Sequence, residues 1–232
     1  MSPRSFDPAS LAGLEEPVQR YLKHALAPGA AIGRDRRFRM VGRIRVGCWL
    51  TFDAVQEMSA AGHGFTWTAR AGLGPFRPLR VVDRYRVGAG STEGRLFGRW
   101  RFLHADDDDT VRSAAGRAAV ETIMDPASLL PDNGVRWQAE SDDLIVARFD
   151  VPPERAEIRL RVNATGALRS VEIMRWGNVG QDHFGYIPFG ADIHAERQFG
   201  DLVLPSELTV GWWYRTAHSL PFFQATITDG AP

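Results

Sequence analysis

The sequence predicts a mainly β protein of the α+β class. We expect a curved antiparallel sheet or half-barrel, partly wrapped around one helix, with a shorter helix near the N-terminus. Two observations support this prediction. Most segments carry hydrophobic residues at every second position, which is the period of a half-buried strand. Turns rich in glycine and proline separate these segments at short, regular intervals, as in an antiparallel meander.

The first predicted element is a helix within an N-terminal lead at residues 1–29. Pro17 suits the first turn of a helix, and the apolar residues that follow it are spaced three and four apart, on one helical face. These residues are Val18, Tyr21, Leu22, Ala25 and Leu26. Pro28 lacks an amide hydrogen and Gly29 accepts a left-handed conformation, so we expect the helix to end before them.

A first β meander is predicted at residues 37–104. In its first strand Phe38, Met40 and Ile44 alternate with arginines, so one face should be buried and the arginine-rich face solvated. A ligand-binding role for these arginines is the alternative. The remaining strands are predicted at 49–58, 65–71, 79–87 and 92–103.

A second helix is predicted at residues 106–124. Its acidic start, residues 106–109, could provide oxygen ligands for a metal ion. We favour a helix N-terminus, because carboxylates accept hydrogen bonds from the free amide groups there and oppose the helix dipole. Arg117 and Glu121 are four residues apart and therefore share a face of this helix.

A second β meander is predicted at residues 133–229. Its strands are expected at 135–139, 144–151, 156–162, 168–176, 192–199, 204–213 and 222–228, with a hairpin turn at 163–166. The glycine-rich stretch 177–186 is expected to be a surface loop, with a flap over a pocket as the alternative. No change in composition marks a boundary, so we expect one domain over residues 1–232.

Composition restricts the classes of partner. Lysine plus arginine and aspartate plus glutamate both number 28, so the formal net charge is zero. No overall field draws the chain to nucleic acid or anionic lipid, and a neutral or apolar partner is expected. Oligomeric state is not indicated.

The cysteine content and the hydrophobic runs bear on location. Cys48 is the only cysteine, so no internal disulfide can form, as is usual in a reducing compartment. Its neighbours Gly47 and Trp49 favour a small buried residue over a reactive thiol. No run has the length of a signal peptide or a membrane span, so we expect a cytoplasmic protein without membrane insertion.

The motifs of the common enzyme classes are missing from the sequence. There is no G-x-S-x-G elbow, no H-E-x-x-H, no C-x-x-C, no phosphate-binding P-loop and no dinucleotide-binding glycine fingerprint. The expectation is therefore a protein with no cofactor and no bound metal.

Five short motifs resemble a known family. PVQRYL at 17–22, RSAAGR at 112–117, GVRW at 134–137, RWG at 175–177 and GWWY at 211–214 are similar to those of an uncharacterised bacterial domain of unknown function. The family departs from this chain at Met124, where it carries tryptophan, and near His194, where it is more acidic. The resemblance implies a curved antiparallel sheet wrapped around a helix, and a pocket role for Arg117 and Glu121 in place of an exposed ion pair.

Two hypotheses for function follow. In the first, the protein binds an apolar small molecule between the curved sheet and the second helix, as its neutral charge and many aromatic residues favour. In the second, the same pocket belongs to a cofactor-independent cyclase or isomerase of a polyketide- or terpenoid-like substrate, where enclosure accelerates the reaction. A structural or partner-binding role is a third alternative, which an exposed apolar patch would favour.

The candidate residues fall into two groups. Glu121 and Asp83 are the catalytic candidates, each a buried carboxylic acid that could donate a proton. The candidate substrate contacts are Arg117, Trp67, Arg175, Trp176, Tyr186, His183 and Trp212.

One further set of residues could form a site. Asp192, His194 and Glu196 alternate along a predicted strand and could face the same side, where they could bind a metal or transfer protons. A solvated strand face is the favoured alternative.

Overall fold

The segments in which hydrophobic and polar residues alternate pair into one antiparallel sheet. The computed structural model describes residues 4–59 and 63–231, and within them this sheet has 13 strands. Residues 1–3 of the predicted lead, residues 60–62 between the predicted strands 49–58 and 65–71, and residue 232 lie outside the described residues. The strands are β1 Arg36–Val46, β2 Cys48–Ser59, β3 Gly64–Leu73, β4 Phe76–Arg86, β5 Ala89–Leu96, β6 Trp100–Ala105, β7 Arg136–Ala139, β8 Leu144–Val151, β9 Glu154–Val162, β10 Leu168–Gly177, β11 Gly185–Phe199, β12 Leu202–Trp212 and β13 Leu220–Ala231.

The strand order joins the two predicted meanders. It runs β6-β5-β4-β3-β2-β1-β13-β12-β11-β10-β9-β8-β7, so the last strand pairs with the first and closes the gap between the halves. The predicted fold class, a curved antiparallel sheet with one main helix and a short N-terminal helix, is confirmed. The assignment of a single domain stays a prediction.

Two α-helices cover parts of the sheet. Helix α1, Glu16–Ala25, buries the predicted apolar stripe and lies against β12 and β7. Helix α2, Asp108–Glu121, crosses β10, β9, β5 and β4. Asp107 caps α2 by accepting a hydrogen bond from the Thr110 amide (2.8 Å), so the acidic run begins a helix as expected. Short 3₁₀ turns follow α2 at Thr122–Met124, Pro126–Leu129 and Pro131–Asn133. No helix in the described residues is long and apolar enough to cross a membrane.

Two strand predictions were wrong in extent. The predicted strand 92–103 is a hairpin, because Phe97 and Gly98 adopt positive φ angles and reverse the chain between β5 and β6. Strand β11 begins at Gly185, seven residues before the predicted start at 192. Its first half carries Gly185, Pro188 and Gly190, which obscure the hydrophobic alternation.

One prediction of burial was also wrong. Cys48 is exposed, because it lies directly after the positive-φ Gly47 at the turn between β1 and β2. Trp100 lies on the edge strand β6 and is 60% exposed.

The predicted turn at 163–166 joins β9 to β10 and contacts α1. The Gly166 amide donates to the Asn163 carbonyl (3.0 Å), and Gly166 has a φ of +87°. A Cβ atom at this position would collide with the carbonyl oxygen of Arg20 in α1. Glycine therefore permits both the turn and the close approach of α1 to the sheet.

We predict that Gly166→Ala lowers the free energy of unfolding more than Gly29→Ala does. Both residues have a positive φ, which costs an alanine about 1–2 kcal/mol. At Gly29 an added Cβ meets open space, whereas at Gly166 it meets backbone, which adds about 1–3 kcal/mol. Urea unfolding of the two variants measures the difference, and equal losses would contradict the role assigned to this contact.

Candidate functional site

A cavity of about 230 Å³ lies between the end of α2 and the facing side of the sheet. The helix contributes Arg117, Val120 and Glu121, and the following 3₁₀ turn contributes Ile123 and Met124. Strands β1–β4 and β10–β13 supply the rest of the wall. Both meanders therefore line one cavity, which depends on the pairing of β13 with β1.

Most of the wall is apolar. Fifteen of its twenty residues are hydrophobic, and aromatic rings from β11, β12 and β13 pack against each other along one side. The rings of Phe189 and Trp212 are 4.8 Å apart, and Phe223 stacks on Phe52 at 5.0 Å. A largely apolar wall with a few polar groups is typical of small-molecule pockets.

The polar residues gather at one end, around Arg117. Its Nε donates to Glu121 Oε1 and its Nη1 donates to Asp83 Oδ2, both at 2.6 Å. The guanidinium also lies over the rings of Phe65 and Trp67, at 4.6 and 5.3 Å. Burial opposes the charge, but Glu121 and Asp83 outweigh it and raise the pKa of Arg117. The ion pair joins α2 to β4.

A row of side chains crosses the sheet beside this ion pair. Gln56, Trp67 and Asp83 lie directly opposite one another on β2, β3 and β4. Gln56 donates through Nε2 to Glu121, which ties α2 to β2 as well. Directly opposed residues have Cβ atoms about 5 Å apart, so Trp67 is the neighbour of both Gln56 and Asp83 in this row.

Two buried polar atoms in this row lack a partner. Among the described residues, neither Trp67 Nε1 nor Asp83 Oδ1 has a hydrogen bond. One is a donor and the other an acceptor, and Trp67 is only 3% exposed. Buried polar groups without partners are uncommon and costly, so this pair needs an explanation.

Arg175, on β10, contacts α2 one turn before Arg117. Its Nε and Nη2 donate to the carbonyl and hydroxyl oxygens of Ser113, at 3.0 and 3.2 Å. Its Cζ lies 4.5 Å from the Phe189 ring and 4.8 Å from the Trp212 ring. Burial, together with the charge of Arg117, lowers the pKa of Arg175. Gly116 allows this approach, because a Cβ there would be 2.9 Å from Arg175 Cγ.

The structure brings together six of the nine predicted site residues. Glu121, Asp83, Arg117, Trp67, Arg175 and Trp212 all line the cavity. Trp176 and Tyr186 do not, because Trp176 follows Arg175 on β10 and so projects to the opposite side. His183 is exposed in the segment between β10 and β11 and lines no part of this cavity.

Trp176 and Tyr186 belong to a separate groove beside α2, of about 590 Å³. Arg112 stacks on the Trp176 ring at 3.5 Å, and its Nε donates to Glu154 (2.6 Å). The Tyr186 hydroxyl also donates to Glu154 (2.6 Å). These groups satisfy each other, so the network holds α2 against β9 and β11.

The alternating set on β11 is not a joint site. Asp192 accepts a hydrogen bond from Tyr214, His194 contacts Thr209, and Glu196 contacts His24 of α1 at 2.8 Å. Register shifts at Ala195 break the strict alternation that placed the three on one face.

Gln56 is the main polar residue of the site that the sequence analysis missed. The alternation of β2 places it on the buried face with Phe52, Ala54 and Met58. The pattern that could have identified Gln56 is therefore one amide side chain among the alternating apolar residues of this strand.

We predict that Arg117→Ala lowers the free energy of unfolding by about 3 kcal/mol. Removal of the guanidinium leaves two largely buried carboxylates without a counter-charge. Arg37→Ala is the matched control, because its ion pair with Glu57 is exposed and contributes about 0–1 kcal/mol. Chemical denaturation of both variants tests this, and a small loss for Arg117→Ala would show that the pair does not hold α2 in place.

Comparison with known proteins gives a family but no activity. No curated protein matches the chain. Among solved structures, a domain named for outer membrane lipoprotein sorting from Vibrio parahaemolyticus has a TM-score of 0.48 at 10% identity, covering 85% of this chain and 84% of that chain. A LolA superfamily protein from Nitrosomonas europaea has a TM-score of 0.46 at 6% identity, covering 92% and 90%. At these values neither likeness carries an argument about function.

The family model is more extensive. DUF6544, described as a family of unknown function, matches residues 4–225, which is nearly the whole described chain. The chain therefore belongs to this family.

Proposed function

We propose that the protein binds a small, neutral and largely apolar molecule that carries one hydroxyl-like group. The observation that carries the proposal is the unpaired donor and acceptor at the polar end of an otherwise apolar cavity, Trp67 Nε1 and Asp83 Oδ1. A hydroxyl group accepts one hydrogen bond and donates another, so a single oxygen could satisfy both atoms.

The size of the cavity limits the ligand. A cavity of about 150 Å³ in another protein binds benzene, so 230 Å³ suits a molecule of about nine non-hydrogen atoms. Fifteen hydrophobic lining residues favour an aliphatic or aromatic body. Burial of each methylene group contributes about 0.8 kcal/mol, so even a ligand of this size gains substantial affinity.

The charges favour a neutral ligand over an anion. Arg117 and Arg175 bring two positive charges to the cavity, and Asp83 and Glu121 bring two negative charges. The sum is zero, so a carboxylate ligand would add an uncompensated charge to a largely buried site. A hydroxyl group adds none.

The second hypothesis, a cofactor-independent cyclase or isomerase, requires Glu121 or Asp83 to hold a proton. Both side chains form ion pairs with Arg117, and adding a proton to either would remove the charge that makes this contact with α2 strong. A carboxylate has no proton to donate. We therefore rank binding above turnover and keep the enzyme as the second hypothesis.

We predict that 1-octanol binds more tightly than n-nonane or heptanoate. All three have about nine non-hydrogen atoms, so they fill the cavity equally and differ in the polar end. Nonane leaves Trp67 and Asp83 unpaired, and heptanoate brings a charge. Isothermal titration calorimetry gives the three affinities. Failure of all three to bind would contradict the binding function, whereas tight binding of heptanoate or equal binding of nonane would contradict only the hydroxyl group.

Trp67→Phe tests the donor itself. It removes the indole N–H but keeps a ring, so the ratio of octanol to nonane affinity should fall about three- to tenfold. Trp213→Phe is the matched control, since its Nε1 donates to Val179 and it does not line the cavity. An unchanged ratio in Trp67→Phe would exclude Trp67 as a ligand contact.

A larger side chain in the cavity should weaken ligand binding. Ala225 lines the cavity and Thr226, its neighbour on β13, is exposed on the other face. We predict that Ala225→Leu weakens octanol binding at least about tenfold, because the added methyl groups occupy the ligand volume. Thr226→Leu should leave it unchanged. Equal binding by both variants would show that octanol binds outside the cavity.

A further inference from the structure

The net charge of the chain is zero, but its basic and acidic residues are unevenly distributed along the sequence. Residues 64–105, which contain β3 to β6, carry eight arginines and only two acidic residues, Asp83 and Glu93. Asp83 faces the cavity and is paired with Arg117. The other side of these four strands is therefore strongly basic.

Four of the arginines form one row across the sheet. Arg70 lies opposite Arg80, Arg80 opposite Arg95, and Arg95 opposite Arg101. Like charges at directly opposed positions destabilise a sheet. Glu93 pairs with Arg95 at 2.8 Å, and Asp53, which lies opposite Arg70 on β2, pairs with Arg77. No ion pair within the described residues involves Arg70, Arg80 or Arg101. An arrangement with this cost indicates an anionic partner.

An exposed apolar tip adjoins this arginine row. We define the tip as Leu73, Phe76, Phe97 and Trp100, which lie at the neighbouring β3–β4 and β5–β6 turns and are 58–67% exposed. The Phe97 ring lies 6.1 Å from Phe76 and 6.0 Å from Trp100. Large apolar side chains in contact on a surface mark an interaction site.

The tip and the arginines are continuous. Arg70, Arg77 and Arg80 line the same shallow hollow as Phe76 and Phe97. Arg70 is three residues from Leu73 along β3, which places it about 10 Å behind the tip. Apolar side chains buried about 5–10 Å into a bilayer surface, with arginines at the depth of the headgroups, are the pattern of an interfacial anchor.

We propose that the tip and the arginine row dock on an anionic phospholipid surface. Acidic headgroups supply ion-pair partners for Arg70, Arg80 and Arg101, and each arginine near such a surface contributes to the attraction. The rings favour lipid over nucleic acid. Phe97 and Trp100 pack edge to face into one apolar cluster, whereas nucleic-acid bases stack on ring faces that are free. This proposal is independent of the ligand in the cavity.

Co-sedimentation with vesicles tests the arginine row. The protein should bind vesicles of phosphatidylcholine mixed with phosphatidylglycerol and not vesicles of phosphatidylcholine alone, and salt should weaken the binding. The triple variant Arg70→Gln, Arg80→Gln and Arg101→Gln should bind at least about tenfold more weakly. Its free energy of unfolding should be unchanged or higher, because repulsion within the row is removed.

A matched triple variant separates position from net charge. Arg136→Gln, Arg155→Gln and Arg169→Gln remove the same charge from exposed sites on β7, β9 and β10. This variant should bind the mixed vesicles within about twofold of the unchanged protein, since these sites lie far from the tip in the strand order. An equal loss in both triple variants would overturn the assigned surface.

The tip needs its own variant. Phe76→Ser with Phe97→Ser leaves every charge in place and should weaken vesicle binding at least about tenfold, because burial of the rings is lost. Unchanged binding would overturn the role of the tip. No binding of the unchanged protein to mixed vesicles, or tighter binding to a DNA or RNA oligonucleotide than to vesicles, would overturn the proposal as a whole.

Discussion

The ion pair between Arg117, Asp83 and Glu121 fixes the site, because it joins the covering helix to the sheet. One face of a curved sheet must be covered, and α2 covers it with small residues such as Ala115 and Ala118 that allow a close approach. Arg117 donates hydrogen bonds to Glu121 and Asp83, both at 2.6 Å, and Gln56 donates another to Glu121. These contacts set the position of the helix end. The cavity lies beyond this contact, and aromatic rings from β11, β12 and β13 form one side of its wall.

Strand alternation gives the two faces of β3 and β4 different chemistry. Trp67 and Asp83 point into the cavity, while Arg70 and Arg80 point to the other side. A single hairpin thus contributes to the ligand site proposed on one face and to the lipid-docking surface proposed on the other.

The sequence predicted the elements better than their limits. Periodicity found both helices and nearly all strands, because burial of one face imposes the period. It failed at the β5–β6 turn, where Phe97 adopts a positive φ without a distinctive residue type, and at the start of β11, where glycine and proline interrupt the pattern.

The sequence by itself determined the fold class and the helix that covers the sheet, and the family motifs pointed to Arg117 and Glu121, which line the cavity. Local periods and spacings encode these features. Only the tertiary structure decided that β13 pairs with β1, that Asp83 meets Arg117 across 34 residues, and that Trp176 and His183 lie outside the cavity. The arginine row was likewise decided there, since residues far apart in the chain become neighbours only through strand register.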